Sequence, residues 1–200
     1  PYTLSYKEEA RIYRKLTSST QAFRDVHLDP HSLHVAAVFS VLARLAESEG
    51  DGDGSKKARL YAGEDVDGVS GSEVNKIRAR NPEEGLAGVS PRFVINALSN
   101  AIIQSDKSSL TTMDVLIALK DAIESDVRID GKKKRKWIDF LVSVRKDFYN
   151  RWVKEDVHKA LFVSFEAEAQ QLLEKYLDEV EATLDNRTLH DPITNEERKP

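Results

Sequence analysis

The chain has 200 residues, 40% of them hydrophobic, and carries 30 Lys and Arg against 34 Asp and Glu for a formal net charge of −4. That is enough apolar chain for a real core in one or two domains, and the acidic balance argues against a general nucleic-acid binder. Without cysteine, disulfides, thiol catalysis and thiolate metal sites are excluded. No apolar run reaches bilayer length and no signal pattern opens the chain, so the sequence reads as cytoplasmic and free of membrane.

Nearly every strong pattern has helical period, and no strand is predicted. Ser5 with Glu8 suggests a capping box, followed by an apolar stripe of Ala10, Ile12, Tyr13 and Leu16 that ends at Ser18-Ser19-Thr20. Asp29-Pro30 predicts the next helix start. Leu33, Ala36, Ala37, Phe39, Val41, Leu42 and Leu45 make that helix apolar around most of its girth, as for the centre of a bundle, and it should stop at Glu49. Gly50 to Ser55 alternates glycine and aspartate and reads as loop. A short helical piece follows near Lys56 to Tyr61, then an irregular Gly63 to Ser72, then a modest helix capped by Ser70 and Glu73 and ended by Asn81-Pro82.

Ser90 is a natural N-cap and Pro91 suits the first helical position, with Val94, Leu98, Ala101 and Ile102 following at helical spacing to about Gln104. Thr111 with Asp114 opens a further helix carrying Met113, Leu116, Leu119 and Ile123, before Asp130-Gly131 breaks the chain. From Lys132 to Asp185 there is neither glycine nor proline. Trp137, Leu141, Val144, Phe148 and Trp152 recur at helical intervals, and Leu161, Phe165, Leu172, Tyr176 and Val180 continue them. So long a run predicts a bend or break near Trp152 to Asp156, or a long helix lying along a partner. The composition shift at Ser105 to Thr112 suggests a boundary.

Several patterns bear on chemistry. Arg92 stands in the first turn of its helix, where free amides, the helix dipole and a planar guanidinium together suit a phosphate, although arginines near capped helix starts are also common on surfaces. Asn96 and Asn100 follow on the same helix, and their plain reading is polar exposure or bonding to a loop. Ser90 caps the helix with or without an anion. His27, His31 and His34, with Asp29, have a spacing that could hold a metal, but satisfied histidines at a helix start are the ordinary explanation, and no metal site is expected. Lys132 to Lys136 is the one concentrated basic run, read first as a solvated turn. Trp137, Phe148 and Trp152 read as packing residues or a docking stripe. No GxxxxGK[ST] loop, eukaryotic-type kinase motif set or nucleophile elbow is present, so if the chain is part of a protein that binds ATP, the phosphate loop and catalytic residues are expected upstream of Pro1.

The segment Gly88 to Asn100 resembles the sensor-2 helix in the lid of AAA+ ATPases. With Pro1-Tyr2, Pro30 to Phe39, Leu60 to Asp65, Phe162 to Glu166 and Leu189 to Thr194 in the same order, the whole chain resembles the PrkA family of serine protein kinases. Asn195 departs from the glycine usual there, and Glu49 to Ser55 looks like a local elaboration. The resemblance implies an all-α chain: an AAA+ lid-like helical bundle over 1–106, then part of a C-terminal helical PrkA-type region over 107–200, the whole excised from a longer protein. It further implies ATP and Mg2+ bound mainly outside the chain, with Arg92 reaching an ATP phosphate and Ser90 and Asn96 nearby. The implied partners are an upstream AAA+ core, a protein substrate and further copies in an oligomer, and the implied activity is ATP-dependent serine/threonine phosphotransfer. Two alternatives stand beside it: an AAA+ ATPase that remodels or unfolds client proteins, and a non-enzymatic helical interaction module.

Overall fold

The computed structural model describes residues 1–45, 54–66, 69, 71–105, 108–185, 188–190 and 197–198. The chain is all-α. Its helices are α1 (Tyr6–Ser19), α2 (Ser32–Leu42), α3 (Gly54–Tyr61), α4 (Gly71–Arg80), α5 (Pro91–Ser105), α6 (Thr112–Ser125), α7 (Gly131–Ser143) and α8 (Asn150–Leu184), with a π-helical turn at Val144–Tyr149. Among the described residues four strands are found, of two residues each. β1 (His27–Leu28) pairs in parallel with β2 (Ser109–Leu110), and β3 (Leu189–His190) pairs antiparallel with β4 (Glu197–Arg198). Two compact units divide between Arg151 and Trp152.

In the first unit α2 is the central rod. Every residue of α2 except His34 is buried, as its nearly continuous apolar sequence requires. Fully burying a Val, Leu or Phe side chain stabilises by about 1.5–3 kcal/mol, so this helix carries much of the unit's core. Helix α1 packs along it and buries Tyr6, Ala10 and Tyr13, with the Tyr13 hydroxyl 2.6 Å from that of Ser40. The expected α1 stripe is thus rotated, because Ile12 is exposed and Tyr6 and Glu9 are buried in its place. Ser5 is the N-cap of α1 but its side chain makes no capping bond, so the predicted Ser5–Glu8 box does not form.

Helix α2 begins at Ser32 rather than at Asp29-Pro30, after a turn in which Ser32 N–H donates to the Asp29 carbonyl at 3.0 Å. It also ends at Leu42, well before the expected stop at Glu49, with Ala43 to Leu45 already in a turn where Arg44 N–H donates to Val41 O at 2.9 Å. Of the expected Gly50 to Ser55 loop, Gly54 and Ser55 belong to α3, while residues 50–53 and the Ser70 cap lie outside the described residues. The short β1–β2 pairing fastens the start of α2 to the start of α6: His27 N–H donates to Ser108 O at 2.8 Å and Ser32 Oγ to Leu110 O at 3.1 Å. Thr111 and Asp114 open α6 as expected, and they do so through a reciprocal capping box. Helices α5 and α6, on either side of residue 106, pack on each other inside this unit.

The predicted break at Trp152–Asp156 is not there, since α8 runs through those residues without interruption. The irregularity comes earlier, as the π turn Val144–Tyr149. There the widened turn keeps Val144 and Phe148 wholly buried, with Phe148 edge-to-face on Tyr6 at 6.0 Å. Within the second unit, the described side chains of α8 are largely exposed, Leu161, Phe162, Leu172 and Tyr176 among them.

Candidate functional site

The start of α5 is held by the loop before it. Two positions in that loop require glycine. Gly85 (φ +79°) lies where a Cβ would stand 2.7 Å from the Tyr2 carbonyl oxygen, and Gly88 (φ +112°) where one would stand 2.5 Å from that of Ala43. The close approach lets Tyr2 N–H donate to Gly85 O at 2.8 Å and Gly85 N–H to Arg44 O at 3.2 Å.

Arg44 completes the support. Its guanidinium, 3% exposed as a residue, forms a two-pronged pair with the buried Glu9 at 2.6 and 2.8 Å. The same group donates twice to Val89 O, at 2.8 and 3.0 Å, and once to Thr3 O at 2.9 Å. The carbonyl just before the α5 N-cap is therefore fixed from beneath by a buried charge. Sequence reasoning passed over both partners, because 35 residues separate Arg44 from Glu9 and nothing local marks either one.

On this support Ser90 Oγ accepts from Phe93 N–H at 3.3 Å, as a capping serine should. Arg92 follows Pro91 in the first turn, exposed and with no hydrogen bond or ion pair among the described residues. Asn96, one turn on, is exposed, as is Asn100. Asn100 borders a groove of about 450 Å³ between α5 and α6 that Asp114 and Asp121 also line. Phe93 packs edge-to-face on Trp137 at 6.4 Å, which brings the start of α5 against the middle of α7.

The other candidates resolve into packing. His34 Nδ1 lies 3.3 Å from Pro30 O, and burial, with the nearby His31 and Arg14, lowers its pKa. His31 stands edge-to-face with Tyr149 at 6.3 Å, and exposed His27 lies 3.9 Å from Asp29. Among the described residues no group of three His, Asp or Glu side chains could hold a metal. Trp137, Leu141, Val144 and Phe148 are buried in the first unit.

A second charged cluster, also unforeseen, ties α3 to its neighbours. Glu64 accepts from Tyr6, from Arg59 at 2.8 Å and from Arg151 at 2.9 Å. Burial raises the Glu64 pKa, but the bonds from Arg151, Tyr6 and Arg59 outweigh it and leave the carboxyl at about 2. Burial and the same carboxylate push the Tyr6 hydroxyl well above its ordinary value. Alongside, Lys57 pairs with Glu84 at 2.5 Å, and Tyr61 donates to the same carboxylate at 2.8 Å.

Comparison with known families gives this arrangement its context. Residues 1–51 match the family described as the PrkA AAA domain, and residues 55–200 match the PrkA serine protein kinase C-terminal domain. The chain belongs to the PrkA family. It is 39% identical over 201 residues to a Bacillus subtilis (strain 168) protein named ATP-dependent protease PrkA, covering all of this chain and 32% of that relative's length. No solved structure matches it. In this PrkA-family chain, Glu9 and Arg44 fall in the first family match and Val89, Ser90 and Arg92 in the second, so the clamp under α5 crosses from one match to the other. Among the described residues no helix is long and apolar enough to cross a membrane.

Proposed function

We propose that this stretch is the nucleotide-responsive lid and part of the C-terminal helical region of a longer PrkA-family protein that spends ATP on protein substrates. Over residues 1–106 the lid presents Arg92 to the phosphates of ATP bound with Mg2+ mainly by residues outside this chain. Ser90 holds the helix start, and Asn96 lies one turn along. The helices over 107–200 position a protein substrate or a neighbouring copy in an oligomer. What supports the reading is Arg92 itself: an exposed guanidinium without a partner among the described residues, on a capped helix start that a buried ion pair holds in place.

Two outputs fit such a lid. Serine phosphotransfer accords with the family description of residues 55–200. ATP-driven unfolding coupled to proteolysis is favoured by the name of the relative from Bacillus subtilis, ATP-dependent protease PrkA. A lid arginine neutralises phosphate charge in either chemistry.

The test is turnover of labelled ATP by the longer protein with and without Arg92→Ala, following phosphate release, label on protein serine and peptide release together. A well-folded variant should lose at least about tenfold in turnover, the scale of removing one positioned donor. Label on serine identifies the kinase, and ATP-dependent peptide release without label identifies the protease. Unchanged turnover would reduce Arg92 to a surface residue.

A further inference from the structure

The basic run Lys132 to Lys136 is far from Arg92 in sequence, but the helix that carries it meets the start of α5 in the fold. Phe93, the residue after Arg92, meets Trp137, and the Lys133 ammonium lies over that same indole at 5.0 Å. An open cleft of about 770 Å³ runs between Ala43 and the first turns of α7, lined by Lys132, Lys133, Arg135 and Lys136 and also by Asp130 and Asp139. Ala43 is the residue against which Gly88 closes, so the loop leading into α5 borders this region too.

The amides at the α7 start are already satisfied in part, because Asp130 accepts from Lys132 N–H at 2.9 Å and from Lys133 N–H at 3.1 Å. What stays open is side-chain charge. Lys132 and Arg135 are exposed and have no side-chain hydrogen bond or ion pair among the described residues. Five cations over the five residues Lys132 to Lys136 repel one another and oppose the helix dipole, an arrangement that costs stability unless an anion offsets it. Lys134 donates to Glu124 O at 2.6 Å, and the Lys136 ammonium lies over the Phe140 ring at 5.5 Å.

We infer that the first turns of α7 and the start of α5 form one anion-binding face, with Lys132, Lys133, Arg135 and Arg92 as its cations and a polyphosphate chain as its ligand. A short polyphosphate suits the face better than RNA: the α7 cations line one cleft instead of a long track, and the chain as a whole is acidic. This inference rests on the reading of Arg92 as a phosphate contact, and adds α7 to it. The polyphosphate has two possible sources, the tail of a nucleotide held by the AAA portion or a free polyphosphate.

The test is calorimetric titration of the 200-residue chain with sodium tripolyphosphate near 0.15 M salt. Compared with the wild type are Lys132→Glu/Arg135→Glu, Arg92→Ala, and Lys154→Glu/Lys159→Glu on α8 as a charge-matched control. All the changed residues are exposed, and circular dichroism checks the fold. Binding should weaken at least about tenfold in the α7 pair, less in Arg92→Ala, and hold within about twofold in the control. No binding by the wild type, an unaffected α7 pair, or an equal loss in the control overturns the inference. Loss in the α7 pair with Arg92→Ala unchanged also overturns the shared face. The lid reading fails on a different result, unchanged ATP turnover in the longer Arg92→Ala protein. In that longer protein, competition between bound ATP and tripolyphosphate identifies the nucleotide tail as the occupant, and simultaneous binding identifies a free polyphosphate.

Discussion

Arg44→Met tests whether the start of α5 depends on the charge beneath it. The substitution keeps a long apolar stem but strands Glu9, 1% exposed, as a buried carboxylate, and it removes the donors from Val89 O and Thr3 O. Breaking a buried pair by removing one partner costs about 3–5 kcal/mol, and the two carbonyls add roughly 1 kcal/mol each where water does not replace the donor. A loss of about 5–7 kcal/mol is expected. Glu9→Gln should cost less, since the amide still accepts from Arg44, and the double variant should be about 2 kcal/mol cheaper than the sum of the singles. The assay is urea unfolding followed by Trp137 fluorescence in a Trp152→Phe background, so that the signal reports the first unit. If Arg44→Met shifts stability by under about 1 kcal/mol, the pair is not the support described here and another contact places Val89.

Gly88→Ala should lose about 2–3 kcal/mol in the same assay, since φ is +112° and the new Cβ would meet the Ala43 carbonyl. Gly63→Ala, at φ +70° with open space, should lose only about 1 kcal/mol. Equal losses would locate the penalty in φ alone. Glu64 has a folded pKa of about 2 against an ordinary 4.5, so its contribution is full above pH 4.5 and is lost as pH falls from there toward 2. After allowance for partial solvent exposure this is about 1–2 kcal/mol, and Glu64→Gln should flatten the acid-unfolding curve in that window. An unchanged curve would mean that the Arg59 and Arg151 contacts contribute nothing to folding.

Local patterns made the helices legible. Serine and threonine caps, first-turn proline and apolar spacing define the starts of α5 and α6 from sequence, and the continuous apolar run of Leu33 to Leu42 marks α2 as the buried rod. Failures came where a long-range contact overrides a local preference. Ser5 has the sequence of a capping box, yet its N–H donates to Thr3 Oγ1 and the first turn is held by tertiary packing. The irregularity in the long helix has no glycine or proline to announce it, and it falls where Phe148 and Val144 must both turn inward. For the site, sequence supplied Arg92 and Ser90 but not Arg44, Glu9 or the approach of α7. Those depend on which residues 30 to 45 positions apart the fold brings together.

The two family matches meet between residues 51 and 55, yet helices from the two matches pack on one another. Helices α1 and α2 belong to the AAA match and pack on α5, α6 and the π turn, which belong to the other. Tyr13, Val35, Val38, Phe39 and Val41 are each 0% exposed. At about 1.5–3 kcal/mol apiece their burial amounts to on the order of 10 kcal/mol, comparable with the entropy cost of holding a separate chain in place. A protease site inserted between residues 51 and 54 should therefore cut the backbone without releasing the first piece. The cleaved pieces should co-elute on size exclusion, and Arg44→Met should make them separate, because the clamp on Val89 crosses the cut. Pieces that elute apart and keep their own helical signal would show that the family boundary is a physical one. Co-elution would mean that any motion of the AAA portion reaches α5 and Arg92 as a rigid displacement, which is the mechanical condition a nucleotide-responsive lid requires.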